Sequence, residues 1–566
     1  LADDSGYCRF SDLDLAEGGV AMSAMIELNE LSFRHAMTKK WALQDISVQI
    51  PAGQIVGIIG RNGAGKSTLC SICAGLMFHV YQGRMSGSVT VNGIDVVSEQ
   101  VSDVVPHASI VSSNPQSQIS GIAFTVYAEV AFGLENLGLP VEQIHERVTW
   151  ALNALELWDL RDRSPYELSG GQQQRMIIAA IMALRSKVLI LDEPTSQLDL
   201  VANQLLANVL RELADQGTTI LVAEQNLDWL VSACDRVLVL NEGKLVADGL
   251  PEQILRDPLL QELGIGWPYV TQIGERLRQQ NLWPHADLPT CYQQLEQGLE
   301  RYKPNQIAQA LAKPPTARAA EPMIEISQVA FAYGEVQALR NINCTINTGE
   351  RIALLGPNGA GKSTFLRMLN GLLKPQSGNV VVGGFNTRKT STSQLSRQVG
   401  IVFQDVRNQL FAKTVRQELS FGLRNLSFRG APLEARIDAA LDALQLREYA
   451  NEHPYDLPQS LQRLTAIAAV LAMDPSLLIL DEPTAGLDAH AIGLLDTMLR
   501  ERVVRGNSVL VVSHNLEFCY NSLDRVLLMN EGQIIVDTQF SSFNSSELQL
   551  LDQTIGLPIA LRLQQR

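Results

Sequence analysis

Short apolar runs alternate along the chain with stretches in which apolar residues recur at three- and four-residue intervals. Two of the runs, Ile55 to Ile59 and Ile352 to Leu355, lead into glycine-rich turns and then into helical periodicity. Two others end on acidic pairs, Asp192-Glu193 and Asp481-Glu482. Apolar runs of strand length separated by helix-length segments predict an α/β layout with a parallel sheet. From about Asn114 to Arg185, and again from Asp405 to Met473, the pattern is that of amphipathic helices with short loops, which predicts a helical subdomain in each region.

The regions match because the chain is written twice. Gly60-Arg61-Asn62-Gly63-Ala64-Gly65-Lys66-Ser67-Thr68 returns as Gly356-Pro357-Asn358-Gly359-Ala360-Gly361-Lys362-Ser363-Thr364, and the Asp192-Glu193-Pro194-Thr195 block returns as Asp481-Glu482-Pro483-Thr484. Gly266-Trp267-Pro268 has a counterpart in Gly556-Leu557-Pro558. A period this long is a domain duplication. The expected organisation is an N-terminal extension over 1–24, a first domain over 25–268, a connector over 269–322 and a second domain over 323–566. The connector reads as helical to Lys313 and as loose at Pro314-Pro315-Thr316-Ala317-Arg318. The opening Leu1 makes Met22 or Met25 a candidate start.

The repeated GxxxxGK[ST] loop carries definite chemistry. Its glycines let backbone N–H groups converge on phosphate oxygens, the helix that follows adds positive potential, and Lys66 or Lys362 reaches the terminal phosphates. Gly60, Asn62, Gly63, Gly65 and Thr68, with Gly356, Asn358, Gly359, Gly361 and Thr364, complete the two ATP cradles. Ser67 and Ser363 supply hydroxyls for Mg²⁺, and Asp192 and Asp481 suit a supporting role at the metal. Glu193 and Glu482 are placed to orient or deprotonate an attacking water. Cys70-Ser71-Ile72-Cys73 invites a metal reading, but its cysteines align with Leu366 and Leu369 and read as core.

Between these blocks, Leu168-Ser169-Gly170-Gly171-Gln172 opens an apolar helix, and with the paired P-loops it makes the chain resemble the ATP-binding cassette (ABC) ATPases over nearly its whole length. The resemblance implies two P-loop NTPase domains, each with a parallel-sheet core and a helical signature subdomain. It implies too that the cassettes pack head to tail, each ATP lying between one P-loop and the other cassette's signature. Ser169 can cap its helix, and Gly170, Gly171 and Gln172 let the helix N-terminus approach phosphate. Because one chain supplies both cassettes, no homodimer is required. For adenine stacking the family uses an aromatic ahead of the first strand, which Tyr333 fits; in the first half His35 or Trp41 has to serve.

Three departures from the family pattern fall on one composite site. Pro458-Gln459-Ser460-Leu461 stands where the second signature is expected. Gln404 matches the Q-loop glutamine, a catalytic and metal-side residue in the family, but Ser113 stands in the first half. His514 matches the switch histidine, but Gln225 stands in the first half. By head-to-tail logic, Lys362, Gln404, Asp481, Glu482 and His514 combine with Ser169 to Gln172 into one complete site. The Lys66 site keeps its P-loop, Asp192 and Glu193, and is expected to hold MgATP as a slow clamp.

Charge and hydropathy narrow the partners. The 566 residues carry 45 Lys+Arg against 60 Asp+Glu, a net −15 that opposes nucleic acid as a partner. The apolar stretches are too short to span a membrane, so membrane contact is expected through a partner only, at the cytoplasmic face. Asn114-Pro115-Gln116-Ser117-Gln118 and the block from Thr125 to Leu137, with Asp405 to Phe411 and Thr414 to Leu423, resemble the energy-coupling factor (ECF) importers. In those systems a cassette pair drives a transmembrane coupling subunit and a separate solute-binding membrane protein. The resemblance makes Glu129 and Glu418 candidate acceptors for an arginine of the coupling subunit, and implies uptake of a vitamin, vitamin precursor or metal ion. Two alternatives are a soluble tandem cassette of the ABC-F translation-factor class and a tandem-cassette sugar importer. Against the first, the connector from Tyr269 to Ala320 has four acidic and six basic residues and no block of like charge.

Overall fold

All five residues of the strands Ile55–Ile59, Val188–Asp192 and Thr219–Ala223 are buried. Strands covered on both faces must be apolar along their length, and in the computed structural model of the protein these three lie side by side in a six-stranded sheet. The structure describes residues 24–36, 38–77, 83–313 and 321–565. All of the expected N-terminal extension except Ala24 lies outside the described residues, as do Met22 and Pro314 to Arg318.

The sheet order is Lys244–Gly249, Arg236–Asn241, Ile55–Ile59, Thr219–Ala223, Val188–Asp192, Ala108–Val111. Only the edge pair Arg236–Asn241 with Lys244–Gly249 is antiparallel. The second half repeats the order as Gln533–Gln539, Arg525–Asn530, Arg351–Leu355, Ser508–Val512, Leu477–Asp481, Val399–Val402. Register then sets the site. Asp192 pairs with Ala223, Glu193 N–H donates to the Ala223 carbonyl at 2.8 Å, and Glu224 N–H donates to the Ile58 carbonyl at 3.1 Å. The P-loop, the acidic pair and the 224–226 loop therefore emerge together at the carboxyl edge of three adjacent strands. In the second half Asp481 pairs with Val512 and Glu482 N–H donates to its carbonyl at 2.8 Å.

Each half also has a four-stranded antiparallel sheet that the apolar runs did not announce. In the first half its order is Leu43–Pro51, Ala24–His35, Gly83–Val91, Ile94–Asp95. Its strands alternate, so Leu43, Ile46, Val48 and Ile50 are buried while the residues between face outward, and such half-apolar segments lack the dense signal of a buried strand. Its apolar face packs on Leu69, Cys70, Ile72 and Cys73 of the helix after the P-loop, so both cysteines are core residues. Burial pushes the Cys73 thiol up to about 12.

The helical subdomains are Val126–Asn136, Val141–Ala154 and Gly170–Ala183, and Val415–Asn425, Gly430–Ala443 and Gln459–Met473. Glu129 and Glu418 are buried inside them. Glu129 accepts from the Ser120 N–H at 2.7 Å and its hydroxyl at 2.8 Å, and Glu418 accepts from the N–H groups of Phe411 and Ala412 at 2.9 and 2.7 Å. Both carboxylates are spent on holding the preceding loop, which corrects their reading as free acceptors for a partner's arginine.

Among its described residues the connector is broken into three helices, Tyr269–Gln279, Tyr292–Gly298 and Pro304–Leu311. Val270, Leu277, Trp283, Leu295 and Leu311 share one buried cluster with Leu478, Phe518 and Leu561 of the second half. Lys313 closes the segment, its ammonium donating to the Leu523 carbonyl. No helix among the described residues is long and apolar enough to cross a membrane.

Candidate nucleotide sites

Both P-loops turn from strand to helix through left-handed glycines. Gly65 has φ 107°, and a β-carbon there would lie 2.6 Å from the Ala42 carbonyl oxygen, so no other residue fits. Lys66 Nζ donates to the Gly60 and Arg61 carbonyls at 2.8 and 3.1 Å, and Lys362 Nζ to those of Gly356 and Pro357 at 2.6 and 3.0 Å. Each ammonium is thus held over its own loop. A β-carbon at Gly63 or Gly359 would meet nothing within 4 Å, so both loops present open backbone to a ligand.

The acidic groups fit a divalent cation. Asp192 Oδ1 is buried without a hydrogen-bond partner, and the Ser67 hydroxyl is near enough to favour the charged carboxylate. Burial raises Asp192 and Asp481 to about 6 each, against the pull of Lys66 and Lys362. A carboxylate oxygen orphaned beside the P-loop hydroxyl is what Mg²⁺ would satisfy, and the ion would neutralise charge on the phosphates. Ser363 holds the matching place in the first turn of Lys362–Leu369.

The two glutamates share one conformation and differ in surroundings. Glu193 and Glu482 have φ of 52° and 49°, left-handed values that ordinary side chains avoid and that cost roughly 1–2 kcal/mol. The His514 N–H donates to Glu482 Oε2 at 3.1 Å, and its Nε2 lies 3.4 Å from Oε1. In the first half Gln225 turns its amide to Asn62 Oδ1 at 3.0 Å instead. Glu224, where the second half has Ser513, is buried and accepts from the Thr195 hydroxyl at 2.7 Å and the Gln225 N–H at 2.6 Å. Burial, with Asp192 and Glu224 adding to it, pushes Glu193 up to about 8. A carboxyl that holds its proton near neutrality is a poor acceptor for the proton of an attacking water.

The signatures differ as physically as they do in letters. Ser169 accepts from the Gln172 N–H at 3.4 Å while Gln172 Oε1 accepts from the Ser169 N–H at 3.0 Å, a reciprocal capping box. Gln459–Met473 starts after Pro458 with no side-chain cap. Gln404 Nε2 lies 3.9 Å from where a β-carbon of Gly170 would stand, so the first half's signature and the second half's Q-loop meet across the boundary. Gln404 and Ser113 each lie two residues beyond a strand end, Val402 and Val111, but serine is too short to reach as far.

The reverse boundary is joined directly. Asn62 N–H donates to Asp488 Oδ2 at 2.9 Å, Asn62 Nδ2 donates to the Gly486 carbonyl at 3.1 Å, and Arg61 lies 3.9 Å from Asp488. Among the described residues, Asn358 makes no such bond to Ser196, Gln197 or Asp199. Opposing the burial that lowers both lysines, four carboxylates (Glu193, Asp192, Asp488 and Glu224) act on Lys66 and two (Glu482 and Asp481) on Lys362. The Lys66 site is thus the more enclosed and the more acidic.

For the adenine face, His35 Nε2 lies 3.4 Å from the Thr68 hydroxyl, whereas Trp41 is engaged by the Arg34 guanidinium at 5.4 Å. Tyr333, 47% exposed, stands edge-on to Phe331. Sequence reading passed over Glu224, Asp488 and Arg463. Glu224 was visible as a mismatch with Ser513 once the halves were aligned. Asp488 looks like an ordinary helix cap, and Arg463, whose guanidinium donates to the Glu482 carbonyl at 2.8 Å, looks like a surface residue.

A family profile described as ABC transporter matches residues 43–196 and 339–485. A protein of Methanosarcina mazei, provisionally named ABC transporter ATP-binding protein, is 33% identical over 525 residues, covering 91% of this chain and 89% of that one. A Bacillus subtilis (strain 168) protein, provisionally named HMP/thiamine import ATP-binding protein YkoD, is 31% identical over 542 residues, covering 95% and 94%. Among solved structures, one titled "Model of ribosome-bound archaeal Pelota and ABCE1" has a TM-score of 0.59 and 19% identity over 90% of this chain and 79% of that one, a likeness of fold alone.

Proposed function

The chain belongs to the ABC transporter ATP-binding family, an ATPase with two cassettes in one polypeptide, and we propose that it is the energy-coupling subunit of an ECF-like importer with one working ATP site. The working site combines Lys362, Ser363, Gln404, Asp481, Glu482 and His514 with Ser169 to Gln172. The Lys66 site holds MgATP and turns over slowly. The observation that carries this reading is the opposite treatment of the two glutamates: Glu482 faces His514, while Glu193 is enclosed with Asp192 and Glu224.

Coupling to a membrane partner has its own support. Ile122, Phe124 and Tyr166 are 66%, 89% and 66% exposed on the first helical subdomain, and Phe411, Phe421 and Tyr455 are exposed on the second. Apolar side chains in water at matching places on two related subdomains suit paired helices of a transmembrane coupling subunit. The import function in the Bacillus subtilis relative's name supports uptake of a small solute, held by a separate membrane protein. The protein then works at the cytoplasmic face, attached through its partners.

The test is ATPase activity of the protein co-purified with its coupling and solute-binding membrane proteins in vesicles. Stimulation by the membrane partners that is lost in Phe124→Glu, with the basal rate retained, supports the importer. Stimulation by ribosomes or RNA instead would overturn it.

A further inference from the structure

The helix Gln459–Met473 carries the degenerate signature at its start and, one turn further in, Arg463. The halves align without a gap from Leu168 and Leu457 to Asp192 and Asp481, which sets Arg463 against Gln174 of the first half. Both side chains are buried, but they are used differently. The Arg463 guanidinium donates to the Glu482 carbonyl at 2.8 Å. Gln174 bonds to nothing, since its amide nitrogen and oxygen are both buried without a hydrogen-bond partner. The carbonyl of each glutamate also receives a turn N–H, from Ser196 at 3.3 Å and from Ala485 at 3.5 Å, so the arginine bond is an addition made in the second half.

That bond falls where backbone needs holding. Glu482 has φ of 49°, a left-handed value that persists only where the surroundings fix it. Its N–H is tied to the Val512 carbonyl at 2.8 Å, its carbonyl to Arg463, and its carboxylate accepts from the His514 N–H at 3.1 Å. The residue is therefore gripped at three places, and Arg463 supplies the grip on the carbonyl side. A buried guanidinium is costly to desolvate, and Arg463 Nε has no hydrogen-bond partner, so this side chain is not what plain helix packing would select. The carboxylates of Glu482, Asp405 and Asp481 are near enough to favour its charge against that burial.

We propose that Arg463 is a positioning residue for ATP hydrolysis at the Lys362 site, holding the left-handed backbone of Glu482 so that its carboxylate stays directed at His514. The proposal rests on the reading of that site as the working one. One helix then serves the asymmetry twice: its start withdraws the signature from the Lys66 site, and its second turn braces the glutamate of the Lys362 site. The matching helix of the first half, Gly170–Ala183, offers its signature across the boundary and leaves the Glu193 carbonyl without a side-chain donor from Gln174.

Arg463→Gln gives the second half the residue that the first half has at 174, where the amide reaches no partner. The expected result on the full chain, from the loss of a charged hydrogen-bond donor, is a kcat lower by about tenfold with unchanged KM for ATP and no fall in melting temperature. Arg463→Met, similar in length and with no polar atom to leave unpaired in the interior, should give the same loss. An unchanged kcat in either variant, or a loss that follows a raised KM or a lowered melting temperature, overturns the proposal. Comparison with Glu482→Gln and Glu193→Gln separates the failures. If Glu193→Gln is the variant that abolishes turnover, the site reading has failed. If Glu482→Gln abolishes it and the Arg463 variants keep their kcat, only the positioning role has failed.

Discussion

The backbone N–H of Asn62, in the first P-loop, donates to Asp488 Oδ2 at 2.9 Å across the boundary between the cassettes. Asp488 also caps its own helix through the Ala491 N–H at 2.8 Å, so one carboxylate ties a nucleotide cradle of one half to a helix of the other. Hydrogen bonds to charged groups contribute about 1.5–3 kcal/mol. Asp488→Ala should therefore speed release of a fluorescent ATP analogue from the Lys66 site by roughly tenfold or more, measured in Glu482→Gln protein. Asp488→Asn, which keeps an acceptor for the cap, should lie between the two.

Removing the water-activating groups should affect the two sites unequally. Glu482→Gln or His514→Ala should lower steady-state ATP turnover by about 10²-fold or more, the scale of general-base and positioning effects. Glu193→Gln should lower it by less than about twofold, since that carboxyl is already held in its proton-bearing form. Equal losses from Glu193→Gln and Glu482→Gln would refute the single-site reading.

Rebuilding the Lys66 site should need several changes together. Replacing Pro458-Gln459-Ser460 by Ser-Gly-Gly supplies a helix cap and an open N-terminus, but leaves Ser113, Gln225 and the buried Glu224 in place. Adding Ser113→Gln, Gln225→His and Glu224→Ser should raise ATPase activity in Glu482→Gln protein by more than the sum of the separate gains. Full recovery from the signature repair alone would show that the other positions were never limiting.

The connector should melt with the second half. Leu311 and Leu295 are fully buried in that half's core, and truncating a buried leucine to alanine costs about 2–5 kcal/mol. Leu311→Ala should shift the calorimetric transition of the second cassette downward and leave the transition of the first in place. A Leu311→Ala protein with both transitions unmoved would mean that the connector is not part of that core.

Much of this protein can be read from its residues in order. The P-loops, the acidic strand ends, the helical subdomains and the loss of Ser169's counterpart at Pro458 each depend on a few consecutive residues. Local backbone geometry and side-chain chemistry decide what such segments do, so a linear reading finds them. The duplication helped further, because each half served as the reference for the other.

What the linear order could not decide was which groups meet after packing. Glu129 and Glu418 look like exposed helix carboxylates, but a loop folds back and takes them as acceptors. Residues 269–311 look like a linker, but their apolar faces have a partner only once the second half has folded. Asn62 and Asp488 are 426 residues apart. The sequence by itself determined the chemistry available at each nucleotide cradle, because that chemistry is local. Which carboxylate keeps its proton and which boundary is bonded were decided only by the tertiary structure, since burial and charge proximity depend on distance in space rather than along the chain.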